Sequence, residues 1–150
     1  MGKFLEDFSV GDVYTTAHRV VTRDDITAFA DLTGDHNRLH TDPDFMKQSD
    51  FGDVIAHGLL LVSIAIGLIA DLGIMQETTI ALSEINVRFR HPILANDRVH
   101  AEVEISEVRP SATKHDRGVL RRIVRVLRDD GMVALEFDTV NVMKRRPQAV

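Results

Sequence analysis

Residues Gly58–Gly73 read GLLLVSIAIGLIADLG, and this stretch decides the architecture. Apolar side chains fall on nearly every side of a 3.6-residue turn, the pattern of a helix enclosed by other elements rather than lying on a surface. Its charge-free part, Gly58 to Ala70, reaches roughly 20 Å at ~1.5 Å per residue, short of the ~30 Å hydrocarbon core of a bilayer. It reads as a central core helix and not a membrane span.

Everything after Gln76 reads as strand. Between Asp97 and Val108, residues Val99, Ala101, Val103 and Ile105 alternate with His100, Glu102, Glu104 and Ser106, a period of two with one dry face and one wet. Similar runs occupy Ile80 to Arg90, Gly118 to Asp129 and Met132 to Met143, the last two joined through Asp129, Asp130 and Gly131, a hairpin signal. Four successive strands predict an antiparallel sheet. A largely buried helix ahead of a strand block makes the class α+β, with the sheet wrapped around a long central helix, the layout of a hot-dog fold.

Upstream, Val13 to Val21 is rich in Val, Thr and Tyr and predicts a strand. Thr22 with Asp25 three positions on forms a capping box, opening a helix that carries Ile26, Phe29, Ala30 and Leu32 on one broad side and stops at Gly34. The polar stretch from Gly34 to Gly58 is punctuated by Pro43 and Gly52, leaving at most one short helix around Asp44 to Gln48. Chemistry is expected in this stretch.

The 150 residues fit a single domain, 1–150, with one core. Eighteen Lys and Arg against 23 Asp and Glu give a net charge of −5, so no surplus positive charge exists to hold a nucleic acid. With no cysteine there is no disulfide framework, thiolate nucleophile or Cys-based metal site. The first dozen residues carry Glu6, Asp7 and Asp12 and lack the apolar core of a leader, so they are expected to join the fold, and a cytoplasmic setting is the default. The polar end KRRPQAV is expected to fray.

In Gly34-Asp35-His36-Asn37-Arg38-Leu39-His40, a carboxylate and an imidazole lie five positions apart just past a helix stop. A loop opened by glycine can turn both into one cavity, whereas on a continuous helix they would diverge by roughly 140°. Facing a common water, Asp35 and His40 form a minimal acid–base pair, since one takes a proton while the other delivers one. The same residues also suit a turn and a cap. Asn37 serves equally as an Asx turn or as a contact to His40 or a ligand. His36 and His40 have the i, i+4 spacing of a helical metal pair, but loop signals argue against a helix there and no third ligand is near, so no metal site is assigned. Ser63, on the central helix, either bonds back to its own backbone or faces a ligand tunnel. Arg121, Arg122, Arg125 and Arg128 put cations on both faces of one strand, as solvated or interface positions or as phosphate contacts; Arg88, Arg90 and Lys114 carry the same ambiguity.

The run Phe29-Ala30-Asp31-Leu32-Thr33-Gly34-Asp35-His36-Asn37-Arg38-Leu39-His40-Thr41-Asp42-Pro43, followed by Ile55-Ala56-His57-Gly58-Leu59-Leu60, resembles the MaoC-like dehydratase family, which includes the (R)-specific enoyl-CoA hydratases. Val87-Arg88-Phe89-Arg90-His91-Pro92 before Asn96-Asp97 resembles it more loosely. The resemblance implies a hot-dog fold, a homodimer, an acyl-CoA thioester substrate of fatty-acid metabolism, and reversible addition of water to a trans-2-enoyl-CoA. It implies Asp35 and His40 as the catalytic pair, the Gly58 N–H as oxyanion donor, and Asn37, His57 and Ser63 among the substrate-binding positions. CoA enters as part of the substrate, and no bound cofactor is implied. An exposed N–H at a helix start is polarised by the helix dipole toward developing negative charge, which suits Gly58 to that role; a plain helix-start glycine is the simpler reading. Two positions depart from the family pattern: Arg38 stands where a proline is common, and Asn96 where a glycine is usual. A hot-dog thioesterase and a non-catalytic acyl-CoA-binding module are the rival readings.

Overall fold

Thr22 opens the first long helix as its sequence predicts: its hydroxyl accepts the Asp25 N–H while the Asp25 carboxylate accepts the Thr22 N–H, and Gly34 closes the helix in the left-handed region at φ 79°. The computed structural model describes residues 2–147. After a 3-10 turn at Leu5–Asp7 come β1 (Val13–Thr15), β2 (Arg19–Val20), α1 (Arg23–Thr33), α2 (Arg38–Thr41), α3 (Pro43–Met46), α4 (Gly58–Asp71), β3 (Thr79–Phe89), β4 (Arg98–Pro110), β5 (Arg117–Arg128) and β6 (Val133–Lys144).

The strands form one antiparallel sheet in the order β1-β4-β5-β6-β3, with β2 also paired to β4. The period-two reading of β4 is met in full: Val99, Ala101, Val103 and Ile105 are all at 0% exposure. Their face, with Val124 and Val126 of β5 and Leu135 and Phe137 of β6, wraps the buried side of α4 formed by Leu60, Leu61, Ile64, Ala65, Leu68 and Ile69. Phe137 is fully buried here, and its truncation to Ala would cost about 3–5 kcal/mol. A satellite cluster of Leu5, Phe8, Ile105, Leu120 and Met143 joins the N-terminal segment to the same sheet. This is the hot-dog arrangement of the α+β class.

Several expectations change. The strand expected over Val13–Val21 breaks at Thr16, whose N–H donates to the Ala101 carbonyl and whose hydroxyl accepts the Ala101 N–H, both at 2.9 Å, so a side chain replaces a ladder carbonyl. Sequence neighbours β3 and β4 do not pair; β3 lies at the far edge against β6. Leu32 is 83% exposed, because α1 buries only the narrow strip of Ile26 and Ala30. Nor is α4 enclosed on all sides within one chain: Leu59, Ser63, Ile66, Gly67 and Ala70 form an exposed strip. The polar C-terminal stretch is held as far as Arg146 rather than frayed from its start: Arg145 Nε donates to Glu6 at 2.7 Å and Arg146 pairs with Asp7. Residues 148–150 of that stretch lie outside the described residues. No helix among the described residues is long and apolar enough to cross a membrane.

Candidate active site

The loop after α1 is built by its own short polar side chains. Asp35 Oδ1 accepts the Asn37 N–H at 3.3 Å, and Asn37 Oδ1 in turn accepts the Leu39 N–H at 3.2 Å. Asn37 therefore caps α2, the Asx role, and the turn Arg38–Thr41 is helical where loop signals predicted none. The helix begins after Asp35, so the divergence expected of a continuous helix does not arise. Arg38 is the first helical residue, a position that suits proline because its N–H has no intrahelical partner. Here its guanidinium bonds Asp42 and lies 4.2 Å from the Phe45 ring centroid. The Phe45 N–H and then Arg38 hold the Asp42 carboxyl below the usual carboxylate range.

His40, half-buried, donates from Nδ1 to the Ile55 carbonyl at 2.7 Å, while the Ile55 N–H donates to the Leu39 carbonyl at 3.0 Å. A carbonyl only accepts, so Nδ1 carries a proton, and in the neutral ring the lone pair is on Nε2. His57 is 3% exposed and donates from Nε2 to the Asp35 carbonyl at 3.0 Å, leaving its Nδ1 buried and unpartnered among the described residues. Its ring stacks on His40 and meets Phe29 at 5.0 Å.

Ligating-type atoms of Asp35, His40 and His57 lie within 4.8 Å of one another. The folded chain thus brings Asp35 and His40 together, and His57, expected among the substrate-binding positions, joins them as the buried third member of the cluster. As candidate metal ligands they converge poorly: with the two imidazoles stacked, their in-plane lone pairs run in near-parallel planes rather than toward one tetrahedral centre. His36 lies outside this cluster, its Nε2 3.7 Å from Asp31.

Gly58 is the first residue of α4, and its N–H has no hydrogen-bond partner among the described residues. It lines a cavity of about 390 Å³ with His40, Ile55, Leu61, Phe89 and His91. A Cβ on Gly58 would lie 2.4 Å from Phe89 Cε1, so glycine here answers a close contact as well as a helix start. Ser63 is not among the cavity residues; its hydroxyl donates to the Leu59 carbonyl at 2.9 Å on the exposed strip, the back-bonded alternative. Asn96 takes the left-handed conformation at φ 72° that the usual glycine would supply. Three β5 arginines make cross-strand or hairpin ion pairs: Arg121 with Glu107, Arg125 with Glu104 and Glu136, Arg128 with Asp130. The cavity walls Phe89 and His91 were not picked out as site residues by sequence reasoning, because nothing local marks the end of β3 as facing the loop after α1.

Comparison with known proteins agrees with this layout. The family profile described as "MaoC like domain" matches residues 7–125. The chain is 33% identical over 115 residues to "Protein MaoC" of Klebsiella aerogenes, a match covering 77% of this chain and 33% of that protein, so it spans about a third of that relative's length. It is 31% identical over 116 residues to the (R)-specific enoyl-CoA hydratase of Aeromonas caviae, covering 77% of this chain and 81% of that one. Among solved structures, the monoamine oxidase regulatory protein of Archaeoglobus fulgidus superimposes with a TM-score of 0.88 at 31% identity, covering 97% of both chains. With the profile spanning most of its length and hydratases among its relatives, the chain belongs to the MaoC-like family of hot-dog hydratases and dehydratases.

Proposed function

We propose that the protein adds water reversibly across the double bond of a trans-2-enoyl-CoA thioester to give a 3-hydroxyacyl-CoA, with Asp35 and His40 as the acid–base pair. The observation that carries this is their meeting beside a cavity floored by a free helix-start N–H, from residues five apart in the chain. Water would sit between the Asp35 carboxylate and His40 Nε2. Its oxygen bonds to the β-carbon as the pair accepts one proton, and the electron pair of the double bond moves toward the thioester oxygen, giving an enolate. The Gly58 N–H, at the positive end of α4, stabilises that oxygen. The pair then returns a proton to the α-carbon and regains its starting state.

CoA enters as part of the substrate, and the reaction calls for no bound cofactor. A second copy of the chain completes the reading. Leu82 and Ile85 on the edge strand β3, with Leu59 and Ile66 of α4, leave exposed apolar side chains that a homodimer would cover. A cytoplasmic site of action accords with the cysteine-free composition.

The test is a spectrophotometric screen of enoyl-CoA thioesters of graded chain length. Hydration is read as loss of the conjugated-bond absorbance. Release of CoA thiol from saturated acyl-CoA without hydration would instead favour a thioesterase, and inactivity across the panel an acyl-CoA-binding module.

A further inference from the structure

Arg122 points away from its ion-paired neighbours on β5. It is 5% exposed and makes no ion pair among the described residues. Nε donates to Thr139 Oγ1 and Nη1 to Met75 Sδ, both at 3.1 Å, while Nη2 has no partner among the described residues. The Thr139 hydroxyl, already accepting from a pure donor, spends its proton on Asn141 Oδ1 at 3.1 Å. That bond fixes the Asn141 amide with its NH₂ as the remaining group. Arg122 and Asn141 both line an open cavity of about 620 Å³ beside the C-terminal half of α4, walled by Ile66, Ile69 and Leu82.

Burying a guanidinium without a carboxylate is costly, and such a charge is normally paired. Desolvation lowers the Arg122 pKa to about 10, so the group is still charged at neutral pH. We propose that this cavity is an anion site in which Arg122 and Asn141 hold a carboxylate borne on an apolar stem. One cation and one amide match a single negative charge and the walls match a hydrocarbon, while Asp71, which also lines the cavity, repels any anion and a phosphate dianion more than a carboxylate.

The carboxylate has two sources, a free carboxylic acid or the distal end of a dioic acyl thioester. The second rests on the hydration reading and on antiparallel β3 pairing between copies. Such pairing sets the Thr79 end of one β3, which borders this cavity, beside the Phe89 end of the other, which borders the candidate active site. The anion site itself needs neither assumption.

Thermal melting with hexanoate, and with hexanamide as its neutral counterpart, tests the site. Hexanoate at ten times its dissociation constant should raise the wild-type Tm by about 3–6 °C, and hexanamide should not. Arg122→Met should melt no lower than wild type, having lost an unpaired buried charge, and should no longer respond. Asn141→Leu keeps Arg122 and should weaken hexanoate about tenfold or more. No hexanoate shift in wild type, or an undiminished shift in both variants, overturns the proposal. A second arm compares kcat/KM for enoyl-CoA thioesters ending in a carboxylate or a methyl group. A carboxylate preference lost in Arg122→Met assigns the site to the substrate, and equal rates beside hexanoate binding assign it to a separate acid. Absence of all hydration would overturn the reaction assigned above while leaving the hexanoate result standing.

Discussion

The imidazole of His40 lies face to face with that of His57, ring centroids 3.7 Å apart and planes 26° from parallel, and the same His57 donates to the backbone carbonyl of Asp35 at 3.0 Å. One buried ring thereby sets the position of both members of the proposed pair. His57 is a positioning residue, acting through the two groups that would touch substrate.

His57→Phe keeps an aromatic ring against His40 but removes the bond to the Asp35 carbonyl. It also removes a buried Nδ1 that lacks a partner, so the stability change should stay within about 1.5 kcal/mol. Turnover should fall about 10²-fold, the usual consequence of an ångström-scale misplacement, with a larger effect on kcat than on KM. Wild-type kcat in a folded His57→Phe protein would show that the ring does not position the pair.

Gly58→Val tests the oxyanion step. The new side chain meets the Phe89 ring and keeps the thioester oxygen from reaching the Gly58 N–H, and denying the oxyanion one such donor typically costs ~10²–10³ in kcat. Phe89 is 56% exposed and can turn away, so the variant should still fold. Adding Phe89→Ala should recover any lost Tm without restoring turnover. Recovery of activity together with stability would mean that Gly58 serves packing alone.

Among the described residues the edge strand β3 pairs only with β6, and it carries Ile85 at 43% exposure. Light scattering at micromolar concentration should give twice the chain mass, and Ile85→Asp should give the single-chain mass with reduced turnover. A fully active wild-type monomer would contradict the proposed assembly.

Acid stability follows from carboxylates held low. Burial raises the Asp25 pKa but is outweighed by the Thr22 N–H and hydroxyl and by Arg19, and the net shift is downward. A folded pKa below the unfolded value of about 3.9 contributes stability that is present above that pH and lost as pH falls through the folded value. Arg23 and the Val54 N–H act likewise on Asp53. The Tm should therefore be nearly flat from pH 5 to 7 and drop below about pH 4. Asp25→Ala should lower neutral-pH stability by about 0.5–1 kcal/mol and flatten the acid limb. An acid limb identical to wild type would remove the capping box from the explanation.

The sequence carried α1, α4 and the four long strands because each has a local cause: the Thr22–Asp25 box, the apolar run from Gly58, and the alternation along β4. It did not carry the sheet order, since β3 pairs with β6 through contacts no local pattern encodes. The apolar faces of α4 and β3 looked like core because hydrophobicity alone does not distinguish a surface covered by the same chain from one left open. At the site, Asp35, His40 and Gly58 were visible as motif residues. The stacking of His57 on His40 depends on how the segment Val54–Ala56 is tied down, where Ile55 bridges to Leu94 and the Ala56 N–H donates to the Ile93 carbonyl. Arg122 read like its neighbours on β5, and only strand parity and the missing carboxylate set it apart.

The most direct test of the central claim is the initial rate of enoyl-CoA hydration by wild type, Asp35→Asn and His40→Gln at matched concentration. Asp35→Asn keeps the size of the side chain and an Oδ1 acceptor, His40→Gln keeps a polar side chain of similar reach, and both remove the acid–base function. Each should lower kcat by on the order of 10²–10⁴ with an unchanged melting temperature. Near-wild-type hydration by either folded variant would remove that residue from the proposed pair.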